Sequence, residues 1–299
     1  MTEVNISNTH IIFTPFEYHK PVTVEETTRL LSELDNVKLM AGGTDLIPKM
    51  KQRIIEPDHI ISIKNIPELT GIKKDNDTIF IGAATTLREI ERSKLIQENL
   101  PLLYDCIRSI GSIQIRNMGT LGGNVCNASP AADGALGLVT MDTKVIISGP
   151  QETRQIKAHE FFKAPGLTLL KKDEIVKGFK IKIPSKDTSY CFISIGRTSL
   201  DISTISIGVA LKTKNNEVID INIALGSVAP TPLRLYEVEE WLLGKTITPE
   251  VIKEASRRVS NSIKPITDIR GTAEYRYAAA EGIAREAITR AWKGKETSK

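Results

Sequence analysis

Two pairs of adjacent glycines are the residues whose types and spacing point most directly to chemistry: Gly42-Gly43 in "AGGTDL" (41–46) and Gly122-Gly123 in "TLGGNVCNASPAAD" (120–133). A glycine pair after a strand lets successive main-chain N–H groups point into one concavity with no Cβ in the way. Such a nest binds phosphate oxygens, helped by the N-terminus of a following helix. A sharp turn is the plainer reading of either pair. Both pairs are flanked by threonine and by an acid or amide, Thr44 and Asp45 in the first and Thr120 and Asn124 in the second. Neither matches G-x-x-x-x-G-K-[ST] or G-x-G-x-x-G, so Mg-dependent NTP hydrolysis and a Rossmann dinucleotide site are not indicated. The residues alone lead to a phosphorylated ligand, with a dinucleotide among the candidates.

Other reactive side chains offer less. Cys106, Cys126 and Cys191 lie far apart with no C-x-x-C among them, so this chain's thiolates cannot by themselves hold zinc or an iron–sulfur cluster. His10, His19, His59 and His159 are scattered, and none has the spacing that sets two imidazoles on one helical face. They read as surface or structural residues. No G-x-S-x-G elbow argues for a serine nucleophile.

The elements that must position the glycines follow from periodicity and caps. "TVEETTRLLSEL" opens with Thr23 as N-cap and Glu26 at the third helical position, which predicts a helix. "VKLMAGGTDLIPKMKQR" predicts a buried strand, a tight loop at the first glycine pair and a helical turn with Thr44 or Asp45 near its N-cap. "HIISI" (59–63) reads as a strand, "TIFIGAATTLREIERS" as a strand and a helix capped by Thr86 with Glu89, and "LPLLYDCIRSIGSIQIRNMG" as a helix ending near Gly111. After the second glycine pair come a helical run, "DGALGLVTM", and a strand, "KVIIS".

Beyond residue 174 longer β-type runs begin with "EIVKGFKIKIP" and predict an antiparallel sheet with a hairpin at Asn215-Asn216. Three amphipathic helices starting near Pro232, Thr248 and Thr272 close the chain. The expected class is α+β, with one domain over 1–176 and a second over 177–299. With 40% apolar residues each half can build a core, and the net charge of +4 comes from interspersed Lys and Arg, which points to a solvated surface rather than to nucleic acid. Apolar runs are too short to span a membrane, and "MTEVNISNTH" has neither the basic start nor the apolar centre of a signal peptide, so a cytoplasmic protein is expected.

"AGGTDL", "TLGGNVCNASPAAD", "DEI" (173–175), "GR" followed by "DIST" (196–204) and "GSVAPTPLR" (226–234) occur here in one order and spacing. That set resembles the FAD-binding (medium) subunits of molybdenum hydroxylases, the group containing xanthine dehydrogenase and aerobic carbon monoxide dehydrogenase, over nearly the whole chain. "RTSLDISTI" and "SVAPTPLR" look closest to bacterial xanthine dehydrogenase subunits. The resemblance implies a two-lobed FAD-binding domain of the PCMH/vanillyl-alcohol-oxidase type followed by a small antiparallel sheet covered by helices.

Carried over residue by residue, the resemblance implies that Met40, Ala41, Gly42, Gly43, Thr44, Asp45, Leu46 and Ile47 wrap the FAD pyrophosphate through main-chain N–H groups. Thr120, Leu121, Gly122, Gly123 and Asn124 then form a second loop at the phosphate and ribityl region, and Asp133 accepts hydrogen bonds from a sugar hydroxyl. Ile110 packs an apolar side chain on the cofactor, and Val176 and Ile193 reach the flavin end. Many relatives carry a lysine where this chain has Ile193, so a cation over the flavin is not expected here. The implied activity is electron exit: a large subunit hydroxylates substrate at a molybdenum cofactor, and a small subunit passes electrons through two [2Fe–2S] clusters to this FAD. NAD or another acceptor then takes them. Xanthine is the first substrate to consider, with nicotinate and carbon monoxide as alternatives. A stand-alone FAD-dependent reductase and a non-enzymatic nucleotide-binding protein are the competing readings.

Overall fold

The computed structural model describes residue 12, residues 14–198 and residues 200–294. The first ten residues, on which the signal-peptide reading rests, His10 and the serine within "RTSLDISTI" at 199 lie outside them.

The first lobe is a parallel sheet of three short strands, β1 (Glu17–His19), β2 (Val37–Met40) and β3 (His59–Ser62), in the order β1-β3-β2. Ile60 and Ile61 of the central strand are buried, the run expected of a strand covered on both faces. Helix α1 (Val24–Glu33) connects β1 to β2. Thr23 accepts the Glu26 N–H at 3.1 Å, and the Glu26 carboxylate takes the Val22 N–H at 3.0 Å. Helix α2 (Leu46–Lys51) follows β2 across the first glycine pair.

The second lobe begins with β4 (Ile72–Asp75) and β5 (Thr78–Gly82), followed by α3 (Leu87–Arg92), α4 (Lys94–Asn99), α5 (Pro101–Ser109), α6 (Ile113–Met118), α7 (Leu121–Cys126) and α8 (Asp133–Thr140). It continues through β6 (Lys144–Ser148), β7 (Thr153–Lys157), a small ribbon of β8 (Phe162–Ala164) and β9 (Leu167–Thr168), and β10 (Ile175–Lys182). The sheet runs β4-β5-β10-β6-β7, with the pairs antiparallel. Thr86 and Glu89 form the expected capping box at α3. Every residue of α8 is buried, the pattern of a helix with protein on all sides.

The stretch "EIVKGFKIKIP" departs from expectation. It is β10, the middle strand of the second lobe's sheet between β5 and β6, so the expected division at 176/177 falls inside a strand, beside its bulge at Lys177. Alternation identifies a strand but not the partner it pairs with, and β10 pairs with strands far back in the chain.

The C-terminal sheet follows: β11 (Thr188–Ile195), β12 (Ile205–Lys214), β13 (Glu217–Gly226) and β14 (Leu233–Arg234), in chain order. Asn215 and Asn216 have φ of 51° and 63°, the left-handed pair a two-residue hairpin requires. Over the sheet lie α9 (Tyr236–Leu242), α10 (Pro249–Asn261) and α11 (Ala273–Lys293), the last two capped by Thr248 and Thr272. Ala280, Ile283, Ala284, Ala287, Ile288 and Ala291 form the buried stripe of α11.

Helix α8 joins the two halves. Asn222 Nδ2 donates to Thr140 O at 2.8 Å, Arg234 Nη1 to Val139 O at 3.2 Å, and Ser203 Oγ to Asp133 Oδ2 at 2.9 Å. Gly208 lies so close that a Cβ there would stand 2.5 Å from Thr140 Oγ1. Among the described residues no helix is long and apolar enough to cross a membrane.

Candidate functional site

A cleft of about 470 Å³ separates the first two lobes, within the range typical of ligand sites. One wall is the turn between β2 and α2. Gly43 has φ +72°, a conformation that L side chains rarely adopt, and a Cβ on Gly42 would run into the main-chain carbonyl of Met118. Asp45 is the N-cap of α2, but its side chain makes no capping bond. Instead its Oδ1 accepts from Asn127 Nδ2 at 3.2 Å, and Asn127 Oδ1 accepts from Lys49 Nζ at 2.8 Å. The main-chain N–H groups of Gly42, Gly43, Thr44 and Asp45 therefore reach the helix start with no acceptor among the described residues. Consecutive free donors on a cleft-lining turn that enters a helix form an anion cradle.

The second glycine pair is built differently. It is not a loop: Thr120 caps α7, and Gly122 and Gly123 lie in its first turn. The N–H groups are already in use, Leu121 N to Thr85 O at 3.1 Å, Gly122 N to Ala83 O at 2.8 Å, Gly123 N to Thr120 Oγ1 at 3.0 Å and Asn124 N to Thr120 O at 3.0 Å. A Cβ on Gly122 would sit 2.6 Å from Ala83 O, so this glycine serves packing against the end of β5. Among the described residues a Cβ on Gly123 would meet only Thr120 Oγ1, at 3.0 Å. Asn124 adds a buried Oδ1 with no hydrogen-bond partner among the described residues. This wall offers a smooth face and one unsatisfied polar atom rather than a second row of donors.

Of the residues the resemblance assigns to the cofactor, Met40 through Leu46, Ile110, Thr120, Gly122, Gly123, Asn124 and Val176 line the cleft. Ile47, Leu121, Asp133 and Ile193 do not line it. Ile47 turns back, with its Cγ1 beside Gly43, and Leu121 is fully buried in the second-lobe core. Asp133 is buried at the joint with the C-terminal sheet, accepting from Ser109 Oγ and Ser203 Oγ, each at 2.9 Å; burial pushes its carboxyl above the usual range against those bonds. Ile193 packs on the C-terminal core.

Sequence reasoning missed Lys49 and Asn127. Their signals were present: Lys49 is one helical turn after Asp45, and Asn127 is three residues after Asn124. It also missed Arg116, which shapes the apolar side. Arg116 is 7% exposed and donates to Glu91 Oε2 at 3.0 Å, Ile110 O at 3.1 Å and Gly111 O at 2.8 Å, holding the bend that presents Ile110 and Ile115 to the cleft. Burial pushes the Glu91 carboxyl up, and hydrogen bonds from Arg116 and Arg88 more than reverse it, leaving it below its ordinary value. Cys126 lines the cleft, but burial pushes its thiol up to about 12, so it is no nucleophile.

The residues present fit FAD. Free main-chain donors and the Lys49 cation suit a pyrophosphate, Asn124 Oδ1 awaits a donor, and Ile110, Ile115, Leu170, Ile175 and Val176 suit a ring system. Fold and cleft together define a two-lobed dinucleotide-binding protein with a helix-covered sheet attached. The chain belongs to the FAD-binding medium subunits of molybdenum hydroxylases: residues 14–186 match the family described as FAD binding domain in molybdopterin dehydrogenase, and residues 190–291 match the CO dehydrogenase flavoprotein C-terminal domain. The carbon monoxide dehydrogenase medium chain of Hydrogenophaga pseudoflava is 34% identical over 93% of this chain and 97% of its own length. A solved carbon monoxide dehydrogenase structure from that organism superposes with a TM-score of 0.91 over 94% of this chain and 98% of the other, at 34% identity. The xanthine dehydrogenase FAD-binding subunit of Escherichia coli O157:H7 is 30% identical over 92% of this chain and 95% of its own length, so overall identity does not single out the xanthine branch that two motifs suggested.

Proposed function

We propose that this chain is the electron-exit subunit of a cytoplasmic three-subunit molybdenum hydroxylase. A large subunit carrying the molybdenum cofactor oxidises the substrate, a small subunit carrying two [2Fe–2S] clusters relays electrons to this chain, and NAD is the acceptor. FAD supplies the chemistry that joins the two ends, because it accepts electrons singly and releases them in pairs. This chain's residues bind and orient it: the 42–45 turn and Lys49 hold the pyrophosphate, Gly123 leaves room beside it, and Ile110 and Val176 pack its rings. Asp133 and Ile193 then act on the cofactor only through the elements they anchor. The row of free N–H donors before α2 carries the reading.

Substrate choice lies on the large subunit. Xanthine heads the assay panel, nicotinate and carbon monoxide follow, and glyceraldehyde joins them because the Sulfolobus acidocaldarius glyceraldehyde dehydrogenase medium chain is 34% identical. The test uses the FAD-loaded chain alone and with its candidate partner subunits. Alone, it should be reduced by NADH and show no turnover with any panel substrate. With both partners, substrate-dependent flavin reduction should appear in a stable complex. Hydroxylation by the chain alone, or failure to join both partners, overturns the proposal.

A further inference from the structure

Three potential metal ligands converge on one face of the first-lobe sheet, and none of the three lines the cleft. Strand β1 carries Glu17 and His19 two residues apart, so both point to one face, and the parallel register sets Glu17 beside His59 at the start of β3. His19 Nε2 and His59 Nδ1 are 3.2 Å apart, Glu17 Oε2 is 3.4 Å from His59 Nδ1, and Glu17 Oε2 is 3.8 Å from His19 Nε2. Around a tetrahedral ion with Zn–N and Zn–O bonds of about 2.0–2.2 Å, ligand atoms stand roughly 3.3–3.6 Å apart. Two edges of this triangle already fall near that spacing. The third needs a shift of a few tenths of an ångström by Glu17, whose side chain is 73% exposed and free to swing.

We propose that Glu17, His19 and His59 form a site for a divalent transition-metal ion of the zinc type, with solvent completing the coordination. Two imidazoles and one carboxylate suit borderline ions over Mg2+ or Ca2+, which prefer oxygen-only sets. The ion would bridge β1, an edge strand of three residues, to the central strand β3. Its role is a clamp on the small sheet whose other edge, β2, feeds the glycine turn.

The test uses the full chain without an affinity tag. Zn2+ titrated by calorimetry against a competing chelator should bind one equivalent, and Zn2+ should raise the melting temperature by mass action. His59→Ala and His19→Ala should each weaken binding by at least about 10-fold, the loss typical of disturbing even an outer-shell partner of a metal. His159→Ala, remote from the triad and paired with Tyr236, should bind as the wild type does. Circular dichroism and flavin content show whether each variant is folded. Absence of tight binding to the wild type, or equal affinity in a folded His19→Ala/His59→Ala variant, overturns the site; should that double variant not fold, Glu17→Gln on the exposed ligand decides by the same comparison.

Discussion

At the scale of single residues, four glycines near the cleft have four separate reasons to be glycine. Gly43 answers to backbone conformation, Gly42 to the Met118 carbonyl, Gly122 to the end of β5, and Gly123 to nothing among the described residues but one hydroxyl. The contrast is a prediction. Gly123→Val should keep the melting temperature of the flavin-free chain near that of the flavin-free wild type, since valine costs a helix less than glycine does, while flavin retention falls by at least about tenfold, or about 1.4 kcal/mol of binding. Gly42→Ala should lose both, because the turn can no longer pack on α6. Flavin absorbance per protein and thermal melts read the two effects separately, and an unchanged flavin content in folded Gly123→Val would remove Gly123 from the site.

At the scale of elements, two ion pairs set the geometry of the cleft walls. Arg116→Ala should destabilise the chain by about 2 kcal/mol or more, because Glu91 loses a buried partner and two main-chain carbonyls lose their donor. Lysine should not rescue it, since one ammonium cannot reproduce the forked contacts, and chemical denaturation measures both variants. Arg154 holds Glu174, the residue before β10, through Nε at 2.9 Å and Nη2 at 2.8 Å. That hydrogen bond draws the Glu174 carboxyl below its usual 4.5, so the pair stabilises the fold above that pH and the contribution is lost as pH falls through the lower folded value. Glu174→Gln should therefore melt below the wild type at neutral pH, with the gap closing on acidification; a constant gap would deny the linkage. Much of this level was legible in the sequence. Thr23, Thr86, Thr248 and Thr272 announced their helices, and Asn215-Asn216 its hairpin, because caps and tight turns are local. The partner of β10 and the meeting of His19 with His59 were not legible, because each is decided by a residue tens of positions away, whereas the helical state of Gly122-Gly123 was missed although its cap, Thr120, is local.

At the scale of the molecule, α8 belongs to both halves, with its main-chain carbonyls taken by Asn222 and Arg234 and its flank pressed on β12. The two domains should consequently unfold in one calorimetric transition, and Gly208→Val, which drives a side chain into Thr140, should lower or split it; two independent transitions in the wild type would refute the coupling. The free donors at residues 42–45 have a consequence outside the test tube as well. A turn whose N–H groups have no acceptor among the described residues is an unfinished piece of structure, and whatever binds it draws the whole coupled fold toward the native state by roughly 2.7 kcal/mol at a hundredfold excess over Kd. In a cell starved of riboflavin the same chain would spend more of its time open to proteases, so the amount of the subunit would follow the vitamin supply with no regulator in between.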